Sequence, residues 1–261
     1  MGRYDGYLIA SDFDGTIARG GIISEENRAA ISFFIKGGGR FCVASGRTPG
    51  FLTEKCSGLG LNAPVMALGG GVLADTESGE ILYRRTLPKD ACSALMHIVP
   101  VCTGISGISV IGRGEDFFGK SFAPGELTET DLNGMLPGAE IYKFLLVFDT
   151  EDHALRARDD CRALFGGGFL FERSWATGLE MLPGDSGKGS ALAALTDLLQ
   201  PRAKRVIGIG DYENDISLLT AADEGIAVSN AAEEVKKAAG RVLKSDWSAS
   251  MAELISLLPP L

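Results

Sequence analysis

Near its start the chain runs Tyr7-Leu8-Ile9-Ala10-Ser11 and then Asp12-Phe13-Asp14-Gly15-Thr16. The apolar run reads as a buried strand, closed by a glycine turn. Two carboxylates two residues apart at the end of such a strand cannot both enter the core unpaired, because burying an unpaired charge is very costly. The pattern places them at the carboxyl end of a parallel strand, where open α/β sheets hold their ligands. There a divalent cation can neutralise both groups. One carboxylate can act as a nucleophile while the other shuttles a proton. A surface Asp-Gly turn with incidental acids is the plain alternative, and three later segments weigh against it.

Strand and helix alternate on either side of this motif. Ser24 is placed to cap a helix over Glu25 to Lys36, with Glu25 and Glu26 at its positive end, and Gly37-Gly38-Gly39 stops it. Arg40 to Ala44 reads as the next strand, Pro49 as the opening of a second helix, and Pro64 to Leu68 as a third strand. Apolar strands joined by helices predict a parallel sheet covered on both faces.

From about Arg84 to Leu182 the texture changes. Helices are expected near Asp90 to Val101, Thr130 to Met135 and His153 to Phe165. Strands are expected near Ile108 to Ile111, Phe117 to Phe118, Tyr142 to Phe148, Gly168 to Arg173 and Gly178 to Leu182. The alternating rhythm then resumes with a helix from Lys188, a strand over Arg205 to Ile209, a helix over Asn214 to Ala221 and a short strand at Gly225 to Val228. Helices follow over Ala232 to Ala239, which Asn230 could cap, and over Met251 to Leu258. The expected fold class is α/β: a Rossmann-like parallel-sheet core, residues 1–83 and 183–261, with an inserted α+β cap domain, residues 84–182.

Three further segments stand at the ends of core strands or at a helix start: Ala44-Ser45-Gly46-Arg47-Thr48, Gly187-Lys188-Gly189, and Gly210-Asp211-Tyr212-Glu213-Asn214-Asp215. With Asp12 to Thr16 they supply acids for a hard cation, and a hydroxyl, backbone N–H groups, a lysine and an amide for phosphate oxygens. Each also has an ordinary reading. Ser45 can be a helix-entry cap, Asp215 can stabilise its helix start, and Arg47 can be a surface charge. Lys188 can be a first-turn solvated lysine, although the helix dipole disfavours a cation there. Gly184 to Lys188 is too short for a phosphate-binding P-loop, and Gly208-x-Gly210 lacks the third glycine of a dinucleotide site.

These four motifs, in this order, resemble the haloacid dehalogenase superfamily, in its Cof-type phosphatase branch with a large cap between the second and third motifs. Ser229-Asn230-Ala231-Ala232 with Val235-Lys236 is similar to that branch's tail. The resemblance spans the first and last thirds of the chain; over the cap it is one of placement and size. It implies that Asp12 is the nucleophile that becomes aspartyl phosphate and that Asp14 is the acid and base. It implies phosphate binding by Ser45, Gly46, Lys188 and Asn214. It also implies Mg²⁺ held by Asp12, the Asp14 backbone carbonyl and Asp211, with Asp215 in support, and Arg47 as a possible substrate contact. The branch usually has Asn-Gly-Ala after the third strand; Gly69-Gly70-Gly71 stands here, so the substrate entrance is expected to differ.

Composition bounds the partners. A net charge of −9 opposes a nucleic-acid or anionic-membrane partner. No apolar stretch approaches about 20 residues, and the N-terminus has no signal-peptide pattern. Five cysteines, an odd number with no CxxC pair, oppose a thiolate metal site or a disulfide framework, and the chain is expected to be cytoplasmic. Only His97 and His153 are present, both away from the acid motifs, which opposes zinc or Ser-His-Asp chemistry. The expected function is a Mg²⁺-dependent phosphomonoester hydrolase acting on a small phosphorylated metabolite such as a sugar phosphate. A phosphomutase of the same superfamily and a catalytically idle binding protein are the alternatives. The substrate and the oligomeric state are not legible.

Overall fold

The computed structural model describes residues 2–135 and 138–261. They divide into two compact units: residues up to Arg84 with Gly187–Leu261, and Arg85–Ser186.

The first unit is built on an eight-stranded sheet. Its order is Arg241–Val242, Glu224–Ala227, Arg205–Gly210, Tyr7–Asp12, Arg40–Ala44, Val65–Ala67, Val72–Ala74 and Ile81–Arg84. The first six run parallel, and the last two turn antiparallel at one edge. Every residue of Tyr7–Asp12 is buried, as a central strand covered on both faces requires. The helix over Glu25–Lys36 forms where the sequence places it. The Ser24 hydroxyl accepts from the Asn27 N–H at its start, and Gly37 closes it.

Differences arise where local turns override pattern. The third strand stops at Ala67, because Leu68, Gly69 and Gly70 all take positive φ (54°, 69° and 91°) and reverse the chain. That reversal creates Val72–Ala74 and Ile81–Arg84, which short apolar runs after a glycine triplet did not announce. Between them the Asp75 carboxylate accepts from the Glu77 and Ser78 N–H groups and closes a tight turn. A two-residue hairpin, Ala18–Arg19 with Ile22–Ile23, and the edge strand Arg241–Val242 are likewise new. The helix expected over Ala232 to Ala239 spans Glu233–Ala238 and starts without a side-chain cap. Asn230 does not cap it; its amide spans two loops instead, donating to Gly15 O at 2.9 Å and accepting from the Trp247 N–H at 2.9 Å.

The second unit is an antiparallel sheet of five strands in the order Phe169–Trp175, Gly178–Pro183, Glu140–Phe148, Ile105–Arg113 and Phe117–Phe122. Its helices are Ala91–Ile98, Glu129–Met135 and Glu151–Phe165. Ile108, Val110, Phe144, Leu146, Leu179 and Met181 alternate along the strands and share one core with Leu95, Ala154 and Ala157. The intervening positions carry charge. Lys143 and Glu180, with side chains only 5% and 4% exposed, form an ion pair at 2.7 Å, and the Ser174 hydroxyl donates to the same Glu180 oxygen at 2.9 Å.

Removing one partner of such a pair leaves the other charged and buried, which costs roughly 3–5 kcal/mol. Lys143→Met is expected to lower the urea midpoint accordingly. Lys143→Met with Glu180→Gln should recover most of the loss. A single variant as stable as the parent would contradict this.

Candidate active site

The chain leaves Tyr7–Asp12 towards Arg40–Ala44 on one side and returns through Arg205–Gly210 on the other. Strand order reverses there, and the diverging connections leave a crevice at the carboxyl ends of the strands. All four sequence motifs open onto that end. Asp12 is the last residue of its strand, Ser45 follows Ala44, Asp211 follows Gly210, and Lys188 begins the Lys188–Leu198 helix.

Lys188 is wholly buried, and its Nζ donates to Asp12 Oδ1 and Asp215 Oδ1, each at 2.6 Å. Burial alone would lower its pKa, but the charges of Asp12 and Asp215 outweigh it and hold the ammonium above its usual range. Asp215 uses its other oxygen to accept from the Asp211 and Tyr212 N–H groups at 2.9 and 3.1 Å. It thus braces both the lysine and the loop that carries Asp211. A positive-φ glycine seats the lysine: a Cβ on Gly70 would lie 2.3 Å from Gly187 O and 2.9 Å from Lys188 N. Only glycine allows the turn after the third strand to press this closely on the helix start.

Asp12, Asp211 and Asp215 each offer an oxygen within 4.8 Å of the others. Burial, then the charge of Asp215, pushes Asp12 well up, and the same two causes push Asp211 up to about 7. Three carboxylates against one ammonium leave two negative charges uncompensated, and every donor in the cluster is a hard oxygen. That set fits a small divalent cation such as Mg²⁺. Asp211 is further held by Thr16, whose hydroxyl donates to its Oδ1 at 3.1 Å. Gly15 (φ 84°) makes the approach possible, since a Cβ there would lie 2.3 Å from Asp211 Oδ2.

The remaining candidates surround this cluster. The Asp14 carboxylate turns away from the other acids to Arg47, whose Nε donates at 2.9 Å; both side chains are partly exposed. The Arg47 guanidinium also lies over the Phe51 ring at 5.0 Å. Ser45 is buried, and its hydroxyl accepts from the Arg47 N–H at 3.2 Å in the turn that continues through Gly46. Asn214 is buried in the short turn of helix Glu213–Asp215. Asp12, Asp211, Asp215 and Lys188 therefore meet directly, whereas Asp14 and Arg47 form a separate pair. The spacing roles of Gly15 and Gly70 and the Asn230 crosslink escaped the sequence reading. Thr16 was visible inside its motif, but its bond to Asp211 spans 195 residues.

A profile of the haloacid dehalogenase-like hydrolase family matches residues 9–255. The 5-amino-6-(5-phospho-D-ribitylamino)uracil phosphatase of Bacillus subtilis is 26% identical over 96% of this chain and 97% of its own length. A solved haloacid dehalogenase-like hydrolase from Bacteroides thetaiotaomicron superposes with a TM-score of 0.70 at 26% identity, over 97% of this chain and 98% of the other. Another from B. subtilis gives 0.78 at 19% identity, over 96% and 99%.

Two outcomes follow from the geometry. Gly70→Ala should cost about 1–3 kcal/mol through backbone strain and displace Lys188; an unchanged melting temperature with unchanged activity would oppose that. The second concerns pH. Asp211 is raised from 3.8 to about 7, so between those values the folded chain holds a proton that the unfolded chain has released. The metal-free stability it contributes is therefore lost as pH rises through that window. A cation replaces the proton, so the thermal shift produced by Mg²⁺ should be larger at about pH 8 than at about pH 5. A shift equal at both, or larger at the lower pH, would count against the assignment.

Proposed function

The chain belongs to the haloacid dehalogenase-like hydrolase family and is a phosphatase of it, and on that premise we propose that it hydrolyses a small phosphorylated metabolite with Mg²⁺ through an aspartyl phosphate on Asp12. The observation that carries this reading is the buried contact of Lys188 with Asp12 at the edge of a three-carboxylate cluster. A carboxylate held by an ammonium beside a cation-sized excess of negative charge is equipped to receive a dianionic phosphoryl group.

Lys188 engages Asp12 Oδ1, and the Asp12 carboxylate is the group assigned to attack phosphorus. The lysine keeps the carboxylate aimed and shares the charge of the transferring group. Ser45, the Gly46 N–H and Asn214 are assigned to the phosphoryl oxygens. Asp14 gives a proton to the departing alcohol and then takes one from the water that attacks the acyl phosphate. Asp12, Asp211 and the Asp14 backbone carbonyl would hold Mg²⁺, with Asp215 bracing the loop from behind. When bound, the ion compensates phosphoryl charge as a hard Lewis acid. Arg47, paired with Asp14 and partly exposed, is assigned to steady that acid and to meet an anionic substrate.

A sugar phosphate or phosphorylated polyol is the proposed substrate class. The B. subtilis relative is named for an ester of a phosphorylated ribityl chain. Residues 85–186 form the cap in this reading and select among such esters.

Three measurements test the proposal. Phosphate release from a panel of sugar and polyol phosphates should vanish in EDTA and return with Mg²⁺; full turnover in EDTA after exhaustive dialysis would refute the metal role. Asp12→Asn should lower kcat by on the order of 10⁴-fold or more, since an amide is a poor nucleophile. Asp14→Asn should lower it about 10²–10⁴-fold with unactivated esters. With an aryl ester it should accumulate an acid-stable adduct on Asp12, seen by mass spectrometry of quenched protein. Transfer of the phosphoryl group between sugars with little free phosphate would instead identify a mutase.

A further inference from the structure

The loop that follows Asp12 and Asp14 is held by side chains from three separate parts of the chain. Its N–H groups bond within the loop: Gly15 N–H donates to Ala18 O at 2.8 Å, and the Ile17 and Ala18 N–H groups donate to Phe13 O at 3.1 and 2.9 Å. Three successive carbonyls are taken up from outside. Gly15 O accepts from Asn230 Nδ2 at 2.9 Å, Thr16 O from Ser250 Oγ at 2.7 Å, and Ile17 O from Asn27 Nδ2 at 3.2 Å. Thr16, Ile17, Asn27 and Ser250 are fully buried, so Thr16 O and Ile17 O must find their donors within the protein.

The same side chains grip one C-terminal segment. Asn27 Nδ2 also donates to Trp247 O at 2.7 Å, and Asn27 Oδ1 accepts from the Met251 N–H at 2.9 Å. Asn230 Oδ1 accepts from the Trp247 N–H at 2.9 Å. Ser250 belongs to the segment itself, as the first residue of the Ser250–Ser256 helix. Residues 247–251 therefore reach the loop by three routes, one of them across 234 residues.

The loop in turn places Asp211. The Thr16 hydroxyl donates to Asp211 Oδ1, and Gly15 lies so close to Asp211 Oδ2 that only glycine fits. The Asn230 loop holds the same residue through its backbone, since the Ala232 N–H donates to Asp211 O at 2.9 Å. A carboxylate that ligates a cation must keep its oxygens in place, and partners outside the ligand set do that work.

We propose that Asn27, Asn230 and Ser250 are positioning residues for the cation site: with residues 247–251 they fix the Gly15–Ile17 backbone, which holds the Asp211 carboxylate in its ligating orientation. The inference rests on the assignment of Asp211 to Mg²⁺ made above. Each of the three acts through the loop and not on the substrate.

The test titrates Mg²⁺ alone into the full metal-free chain by calorimetry, below the melting temperature of every variant. Thr16→Val removes the hydroxyl on Asp211 and should raise the Mg²⁺ Kd about 10–100-fold, and Thr16→Ser should return it towards the parent value. Asn230→Ala and Ser250→Ala each remove one donor to the loop, and together they should raise Kd about tenfold. Turnover assays should show the apparent Mg²⁺ constant rising while kcat at saturating Mg²⁺ stays within about twofold of the parent. Coupling is reciprocal, so if the network favours the Mg²⁺-binding arrangement, Mg²⁺ must favour the network. In wild type, saturating Mg²⁺ should therefore slow hydrogen exchange at the Trp247 and Met251 amides, which Asn230 and Asn27 hold.

Asn230 and Ser250 variants that melt lower but bind Mg²⁺ as the parent does, beside a weakened Thr16→Val, would overturn the inference and leave the metal assignment standing. Absence of Mg²⁺ binding by wild type would remove both. Exchange at Trp247 and Met251 that ignores Mg²⁺ would overturn the inference even where a variant fails to fold.

Discussion

One ammonium holds the centre of this protein. Lys188 is buried without exposure at a helix start, where the dipole opposes it, and it survives there only through two 2.6 Å contacts with Asp12 and Asp215. Those contacts tie three separate parts of the chain: the end of the first strand, the start of the Lys188–Leu198 helix and the loop after Arg205–Gly210. Glycine supplies the clearances. Gly70 lets a turn press on Gly187, Gly210 makes room for Asp215, where a Cβ would lie 2.4 Å away, and Gly15 lets Asp211 approach the first motif.

Charge around that centre is deliberately uneven. Among the described residues, three carboxylates within 4.8 Å share one lysine, and the excess shows in the upward shifts of Asp12 and Asp211. Asp14, two residues from Asp12, stands outside this cluster, and its side chain pairs with Arg47 nearer the surface. Neighbouring carboxylates in different surroundings can take different chemical tasks. The Arg85–Ser186 unit has a separate internal logic, with its own core and a buried Lys143–Glu180 pair.

Much of the fold was legible because its strands are fully buried and its helices carry their own signals. Ser24, the acids after it and Gly37 delimit one helix in both readings. The antiparallel edge was not legible. Val72–Ala74 and Ile81–Arg84 exist because three successive residues turn left-handed, and one of them is a leucine, for which no local preference predicts that backbone. Asn230 misled for a related reason. Its position before a helix matched a cap, yet its amide makes better use of two loops that only tertiary contact brings near.

The sequence by itself determined the kinds of groups at the site and their order along the chain: two acids after the first strand, a hydroxyl after the second, then a lysine and a further group of acids. Residue type and local periodicity carry that information, since each motif sits directly at the end of an element it helps to terminate. Tertiary structure alone decided which of them meet. Lys188 reaches Asp12 across 176 residues, Thr16 reaches Asp211 across 195, and Asp14 turns to Arg47 instead of joining its neighbours. Such pairings depend on strand order and on backbone clearance at single glycines, and neither is written in the local pattern of the chain.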